Sequence, residues 1–348
     1  MTFALYAIPF FLMAAQASSS GGARITGRVT DAASGTPING ARVTLMMVVD
    51  VPEGTFGRQR RQSITDANGV FAFDSVAPAQ YQLSVEKSGF ASYPDVFGDA
   101  PIQRLTVASD SKDPQLRIAL KKGAVLAGRI LNATGEGEPN LQVSALKRTD
   151  KTGPLGFAQT GQAQTNDLGE FRIFGLPSGD YVIQAAAYRH DPFGPVQTGT
   201  TTLAPTFFPG ALDKNAARVV TLAAGQAITD VEFTIATVAA FRVSGVVVDQ
   251  AGRPSPHATV TLIPDLRTSG SFLPMMIVAA DDGTFEIGEV LPGKYRVRAN
   301  VSEAQGAGGI SGGFFAFAES DEVTPSDPGV ITVDDADISG LRVVAGRR

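Results

Sequence analysis

The sequence predicts an all-β protein made of three tandem seven-stranded antiparallel β-sandwiches after an N-terminal signal peptide. Three observations support this prediction. Short runs alternate apolar and polar residues, clusters of Gly, Pro, Asn and Asp separate the runs, and one turn–strand–turn–strand stretch occurs three times. Alternation with a period of two is typical of half-buried strands, and no stretch has a persuasive helical period.

The repeated stretch is clearest at 65–85, TDANGVFAFDSVAPAQYQLSV. In each copy a polar cluster leads to a Gly, a Phe follows the Gly by two residues, and a Tyr follows it by twelve. The copies are Gly69, Phe71 and Tyr81; Gly169, Phe171 and Tyr181; and Gly283, Phe285 and Tyr295. Because side chains alternate along a strand, we expect the Phe and Tyr to face the core, and the Gly to provide a left-handed turn position.

The spacing of the copies sets the predicted domain boundaries. The Tyr residues are separated by 181 − 81 = 100 and 295 − 181 = 114 residues. About 100 residues hold the seven or so short strands of a small sandwich and can bury a stable core without disulfides. We therefore predict sandwiches at 23–122, 123–238 and 239–348, preceded by a linker at 18–22.

The first 17 residues have the pattern of a secretory signal peptide. Residues 2–15 are almost wholly apolar, and Ala15 and Ala17 are small residues at the two positions recognised for cleavage after Ala17. No Lys or Arg precedes the apolar run, so cleavage and retention as an anchor both stay open. We expect a secreted or periplasmic protein with no membrane span in the mature chain.

The composition argues against several classes of function. A net charge of −5 without a long basic run argues against nucleic-acid binding. The chain has no Cys and only two His, His190 and His257, so we expect no thiol nucleophile, no zinc site, no cofactor and no enzyme activity. GISGG at 309–313 fits a serine-nucleophile pattern, but it lies in a Gly-rich loop. Calcium binding at acidic turns such as Asp281-Asp282 and Asp334-Asp335-x-Asp337 stays open.

Each unit resembles the carboxypeptidase regulatory-like domain, a transthyretin-like or prealbumin-like sandwich close to the starch-binding-like group. The resemblance rests on the Gly-x-Val first strand, GTPINGARVTL at 35–45, TDANGVFAF at 65–73 and VAPAQYQLSV at 76–85. It implies three tandem copies of one accessory fold. The catalytic domain of zinc carboxypeptidases has no counterpart in this sequence, so the resemblance implies no peptidase activity.

Binding is expected in the loops, because long loops on a rigid sandwich commonly carry it. Two excursions per unit vary in length, one after the second strand and one after the fifth. We predict a composite surface between the late excursion of the second domain, 187–217, and the early excursion of the third, 264–278. The predicted binding residues are Tyr188, His190, Phe193, Phe207, Phe208, Phe272 and Met275. The alternative is that the loop Phe residues fold inward and hold the loops in place.

Two functions are consistent with these sequence patterns. The first is a non-catalytic secreted or cell-envelope protein with a structural or binding role, whose partner is an envelope protein or a polysaccharide. The second is a carbohydrate-binding accessory protein that uses loop aromatics, although the chain has no Trp to serve as a flat platform. The sequence leaves the oligomeric state open.

Overall fold

The computed structural model describes residues 22–48, 60–92, 104–108, 114–149, 156–187, 199–265, 274–301 and 329–347. Within these ranges the regular elements are strands, apart from one short 3₁₀ turn at Lys214–Ala216. Within the described ranges, no helix is long and apolar enough to cross a membrane. The predicted signal peptide and the GISGG pattern lie outside the described residues.

The first sandwich contains seven described strands in two sheets. Its strands are β1 (Ala23–Asp31), β2 (Arg42–Met47), β3 (Arg60–Ile64), β4 (Val70–Val76), β5 (Ala79–Glu86), β6 (Arg104–Val107) and β7 (Gln115–Leu120). One sheet has the order β4-β1-β7 and the other the order β3-β2-β5-β6. The apolar positions that alternate along these strands form the core between the sheets, as the sequence predicts.

The second sandwich repeats this topology and adds short strands from its late excursion. Its strands are β8 (Ala124–Leu131), β9 (Leu141–Arg148), β10 (Phe157–Gln164), β11 (Glu170–Leu176), β12 (Gly179–Ala187), β13 (Thr201–Leu203), β14 (Thr206–Phe207), β15 (Val220–Leu222), β16 (Ala227–Thr234) and β17 (Thr237–Ala239). The sheet β11-β8-β16 faces the sheet β10-β9-β12-β14, in which β15 also pairs with β12. Side chains from both sheets form one core cluster, so this is a sandwich.

The third sandwich has the same two-sheet arrangement. Its strands are β18 (Phe241–Val248), β19 (Thr259–Pro264), β20 (Met275–Val278), β21 (Thr284–Val290), β22 (Gly293–Val301), β23 (Val330–Val333), β24 (Ile338–Val344) and β25 (Gly346–Arg347). The sheet β21-β18-β24 faces the sheet β20-β19-β22-β23, and β25 pairs in parallel with β22. The core again draws on both sheets.

The expectation of purely antiparallel pairing is wrong in each sandwich, and in the third sandwich the β22–β25 pair is a second parallel pair. The first and last long strands of each unit pair in parallel, namely β1 with β7, β8 with β16 and β18 with β24. A parallel pair needs a long crossover connection, and here the chain of the whole unit provides it. The strands approach closely at Gly128, where an added Cβ would collide with the carbonyl oxygen of Val231.

The repeated Tyr anchors the same corner of all three sandwiches. Each Tyr is buried, and its hydroxyl donates a hydrogen bond to the carbonyl oxygen four residues earlier. The pairs are Tyr81 to Ala77 at 2.9 Å, Tyr181 to Pro177 at 2.6 Å and Tyr295 to Leu291 at 2.8 Å. Burial raises the pKa of Tyr295 to about 12. The predicted core role of the Tyr is therefore confirmed, and the hydroxyl bond gives each β-corner a fixed geometry.

The repeated Gly occupies the predicted left-handed turn. Gly69 has a φ of 73° and Gly169 has a φ of 75°. In the first copy the Asp66 carboxylate accepts hydrogen bonds from the backbone N–H groups of Asn68 and Val70, at 2.9 and 2.8 Å. This is the capping that Asp and Asn side chains provide in tight turns.

The described residues divide into two compact units. One comprises the described residues of Met1–Lys87 and Ile102–Leu120, and the other those of Ser88–Pro101 and Lys121–Arg348. The second and third sandwiches therefore lie in one compact unit. The domain boundaries drawn from the sequence stay predictions.

Candidate functional site

The segment that connects the second and third sandwiches is itself a strand. Strand β17 lies between β16 and β18, and it pairs antiparallel with β13 from the late excursion of the second sandwich. Two further backbone hydrogen bonds extend the ladder, from Ala204 N to Ala236 O at 2.8 Å and from Ala240 N to Thr200 O at 2.9 Å. The excursion thus holds the connecting segment along its whole length.

Thr206 fixes one end of this ladder. Its side chain is fully buried. The Oγ1 hydroxyl donates to the carbonyl oxygen of Ala204 at 2.8 Å and accepts from the backbone N–H of Ala236 at 3.0 Å. One hydroxyl therefore joins the excursion to the connecting segment through both of its hydrogen-bonding capacities.

Glu289 joins the excursion to the third sandwich. The Thr202 hydroxyl lies 3.2 Å from Oε2 of Glu289, and Thr202 is only 5% exposed. Glu289 has a φ of 52°, a left-handed conformation that is uncommon for a residue with a side chain. Ser75 and Gly175 occupy the same position near the end of the corresponding strand in the other sandwiches, with φ of 55° and 74°. Glu289, which contacts Thr202, therefore lies at a bulge position that the three sandwiches share.

The predicted composite surface is described only in part. Pro264 pairs with Tyr295 at the start of β22, so excursion 264–278 begins at the same end of the third sandwich as Glu289. The described hydrogen bond from excursion 187–217 to the third sandwich reaches Glu289 on β21. The composite surface therefore stays a prediction.

Four of the predicted binding residues, Tyr188, His190, Phe193 and Phe272, lie outside the described residues. Met275 is half-buried and packs against the third core.

The prediction of Phe207 as a binding residue is wrong, because Phe207 is 0% exposed and cannot belong to a binding surface. It packs on Leu146 and Val182 on the outer face of the β9–β12 sheet and forms a second small core there. Val182 follows the buried Tyr181 directly and breaks the alternation of β12. An apolar residue at an outward position was the signal that this face is covered.

Phe208 also folds inward, as the alternative for the loop Phe residues proposes. It is half-buried against the main core of the second sandwich. Its ring lies edge-on to Phe233, with centroids 5.8 Å apart, and the guanidinium of Arg218 lies 5.7 Å from its centroid. Phe207 and Phe208 thus hold the late excursion of the second sandwich to the two faces of one sheet.

His257 is a turn residue of the third sandwich. It has a φ of 57°, matching Gly40 at 68° and Asn140 at 60° in the equivalent turns. Its Nε2 lies 3.3 Å from Oδ1 of Asp281, and both side chains are largely exposed. The three sandwiches therefore share a left-handed backbone position in this turn, which His257 occupies in the third.

Acidic residues considered for calcium binding cap turns. Asp282 accepts hydrogen bonds from the hydroxyl and backbone N–H of Thr284, which hold the pKa of the Asp282 carboxyl below its usual range. Asp337 accepts from the backbone N–H of Arg242 at 2.8 Å. Across the described ranges, no group of three or more His, Asp or Glu is placed to hold a metal ion.

Comparisons with known proteins agree with the fold of the first sandwich. Residues 24–121 match the family model of the carboxypeptidase regulatory-like domain. This confirms the resemblance for the first sandwich, and the internal repeat extends its topology to the other two. No curated protein matches the chain.

Solved structures of two pilins and of one other bacterial protein are similar at low identity. The Bacillus anthracis TIE protein is 11% identical with a TM-score of 0.24, over 92% of this chain and 50% of that one. A streptococcal ancillary pilin is 12% identical with a TM-score of 0.28, over 92% and 98%. BcpA, the major pilin subunit of Bacillus cereus, is 11% identical with a TM-score of 0.23, over 92% and 98%. This chain thus spans half the length of the TIE protein, and similarity of this degree carries no argument about function.

Proposed function

We propose that this is a non-catalytic structural protein of the cell envelope, in which coupled sandwiches hold loop surfaces at a set spacing. The observation that carries the proposal is the connection between the second and third sandwiches. A free linker lets two domains reorient, whereas β17 is paired along its length with β13. A chain whose task is spacing needs such a connection.

The contacts around the connection support a mechanical role. The Thr206 hydroxyl ties the excursion to the connecting segment, and the Thr202 hydroxyl ties it to Glu289 of the third sandwich. Both Thr side chains are buried, so water competes weakly for these hydrogen bonds. Bending of the third sandwich away from the second would break the Thr202–Glu289 hydrogen bond and expose the buried Thr202 hydroxyl.

Carbohydrate binding is the alternative function. Because Phe207 is buried and Phe208 packs on the core, this alternative depends on Tyr188, Phe193 and Phe272. A flat ring must be exposed to cover the apolar face of a sugar, so the loop residues outside the described ranges decide this alternative.

A retention assay separates the two functions. The chain from Ser18 onward is incubated with insoluble polysaccharides and with cell-envelope fractions, each with and without protease treatment of the fraction. Retention by an envelope fraction that protease abolishes supports the structural proposal. Retention on one polysaccharide that is lost in Tyr188→Ala/Phe193→Ala contradicts the proposal and supports the alternative.

The matched control is Phe174→Ala. Phe174 is 68% exposed on β11, so this variant removes an exposed ring from a strand and leaves the loops unchanged. If Phe174→Ala lowers retention as much as the loop variant does, ring loss in general is responsible, and the carbohydrate alternative is rejected.

A further inference from the structure

Strand β10 is an unprotected edge of the larger sheet of the second sandwich. The sheet has the order β10-β9-β12-β14, and within the described residues β10 pairs only with β9. Its eight residues, FAQTGQAQ, include no charged residue and no Pro, and none of them is buried. Every other described edge strand of more than four residues carries a charged side chain, which discourages pairing with another chain. The edge of β10 has no such protection.

The backbone groups on the free side of β10 belong to four residues. At one end of the strand, the Gly156 carbonyl oxygen accepts a hydrogen bond from Thr149 N at 2.9 Å. At the other end, Thr165 N donates to the carbonyl oxygen of Leu141 at 2.9 Å. Successive residues of an antiparallel strand direct their N–H and C=O groups to opposite sides. Counted inward from these two ends, the residues whose groups point away from β9 are Phe157, Gln159, Gln162 and Gln164.

A bulge places the two inner members of this set on one face of the sheet. The register with β9 shifts between Gln159 and Gly161, so Thr160 is the extra residue. In a regular strand, residues three apart face opposite sides of the sheet. With the extra residue, Gln159 and Gln162 both face outward, and the amide nitrogen of Gln159 donates to Oε1 of Gln162 at 2.6 Å. The strand therefore presents the same side chain, on the same face, on either side of its centre.

We infer that β10 pairs antiparallel with β10 of a second copy of this chain, about a two-fold axis between Thr160 and Gly161. In a two-fold interface, a contact of residue i with residue j is matched by a contact of j with i. The sequence AQTGQA at 158–163 meets this requirement, because it has Ala, then Gln, at equal distances from the axis. An extended peptide of another sequence uses the same backbone groups without this symmetry, so the symmetry selects a second copy.

The two-fold pairing uses all the free backbone groups of the edge. The opposed residues of the two copies are Gln159 with Gln162, Ala158 with Ala163, and Phe157 with Gln164. The first and third of these pairs join residues whose N–H and C=O groups both point to the free side, so each exchanges two hydrogen bonds. Because each pair occurs twice, about eight backbone hydrogen bonds form. The amide side chains of the opposed Gln residues meet on the outer face, and the two larger sheets become one continuous sheet.

Charges at the two Gln positions test the proposed register. Gln159→Glu/Gln162→Glu places carboxylates opposite each other at both contacts, and Gln159→Lys/Gln162→Glu places an ammonium opposite a carboxylate at both. Sedimentation equilibrium of the chain from Ser18 onward gives its mass from micromolar to millimolar concentration. We expect a two-chain species in the native protein, with a dissociation constant about tenfold higher in the first variant and close to native in the second.

Two outcomes of this experiment overturn the inference. One is a native protein that stays a single chain over the whole concentration range. The other is a two-chain species that both variants weaken equally, or that neither weakens. Urea unfolding of the two variants checks that each is folded when its mass is measured.

Disulfide formation tests the opposed residues directly, because the chain has no native Cys. Gln159→Cys and Gln162→Cys proteins are prepared separately, and then oxidised alone and as a mixture. In the proposed pairing the two substituted positions face each other, within reach of a disulfide. Two copies of the same variant place their thiols three residues apart along the strands, about 10 Å, which is too far.

We expect disulfide-linked chains in the mixture and not in either variant alone. This readout needs no charged substitution, so it decides the inference even if a charge variant fails to fold. Linked chains in one variant alone, or equal linkage in all three samples, mean a different pairing and overturn the inference. Absence of linked chains from the mixture overturns it as well.

Discussion

Replacing Thr206 with Val tests the connection between the second and third sandwiches at one atom. The change keeps the shape of the side chain and removes the hydroxyl. Ala204 O then loses its donor and Ala236 N–H loses its acceptor, in a region where Thr206 is fully buried. An unsatisfied buried group costs about 1–3 kcal/mol, and the segment around Ala236 is only half-buried, so we expect a total of about 2 kcal/mol.

Amide hydrogen exchange measures this loss where it occurs. If the β13–β17 ladder opens locally, a cost of about 2 kcal/mol speeds exchange of its amides about thirtyfold. Amides of β9 and β12 in the main sandwich should keep their rates. Thr206→Ser keeps the hydroxyl and is the matched control. Equal exchange in Thr206→Val and the native protein would refute the role given to this hydroxyl.

Three further variants test other parts of the structure. Phe207→Ala should cost about 3 kcal/mol, the lower end for a buried Phe because a surface cluster can collapse, and urea unfolding of the second sandwich measures it. Gly128→Ala should cost about 3 kcal/mol by forcing β8 away from β16, while Gly329→Ala, whose added Cβ meets nothing within 4 Å, should be neutral in the same assay. Burial raises the pKa of Tyr295 to about 12, so the folded protein holds the phenol proton more tightly than the unfolded chain does. The stabilisation by neutral Tyr295 is therefore complete below pH of about 10 and is lost as the pH rises to about 12. Tyr295→Phe should therefore show a smaller fall in unfolding free energy over that pH range than the native protein, and an identical fall would contradict the assignment.

Local features of the fold could be predicted from the sequence because they depend on neighbouring residues. The turn at Gly69 and the strand that follows it need only a left-handed residue, a capping Asp66 and alternating apolar side chains. The burial of Tyr81 follows from the same alternation. The repeat strengthened each of these predictions by presenting the same pattern three times.

Features that depend on distant contacts could not be predicted. The parallel direction of β7 beside β1 does not change the sequence pattern, because apolar and polar side chains alternate in the same way along parallel and antiparallel strands. Glu289 adopts a left-handed bulge conformation without the Gly that usually signals one. The excursion around Phe207 was predicted as a binding loop, and only the position of Leu146 and Val182 beneath it shows that it covers a sheet.

The distance between the second and third sandwiches tests the central claim most directly. The chain has no native Cys, so two exposed residues, Leu168 in the second sandwich (54% exposed) and Ser339 in the third, are changed to Cys and spin-labelled. Double electron–electron resonance then measures the distribution of distances between the two labels. We predict one narrow distance distribution, which broadens when Thr206→Val is added. A distribution that is already broad with Thr206 in place would mean that the paired connection does not hold the two sandwiches together, and would contradict the proposed spacing role.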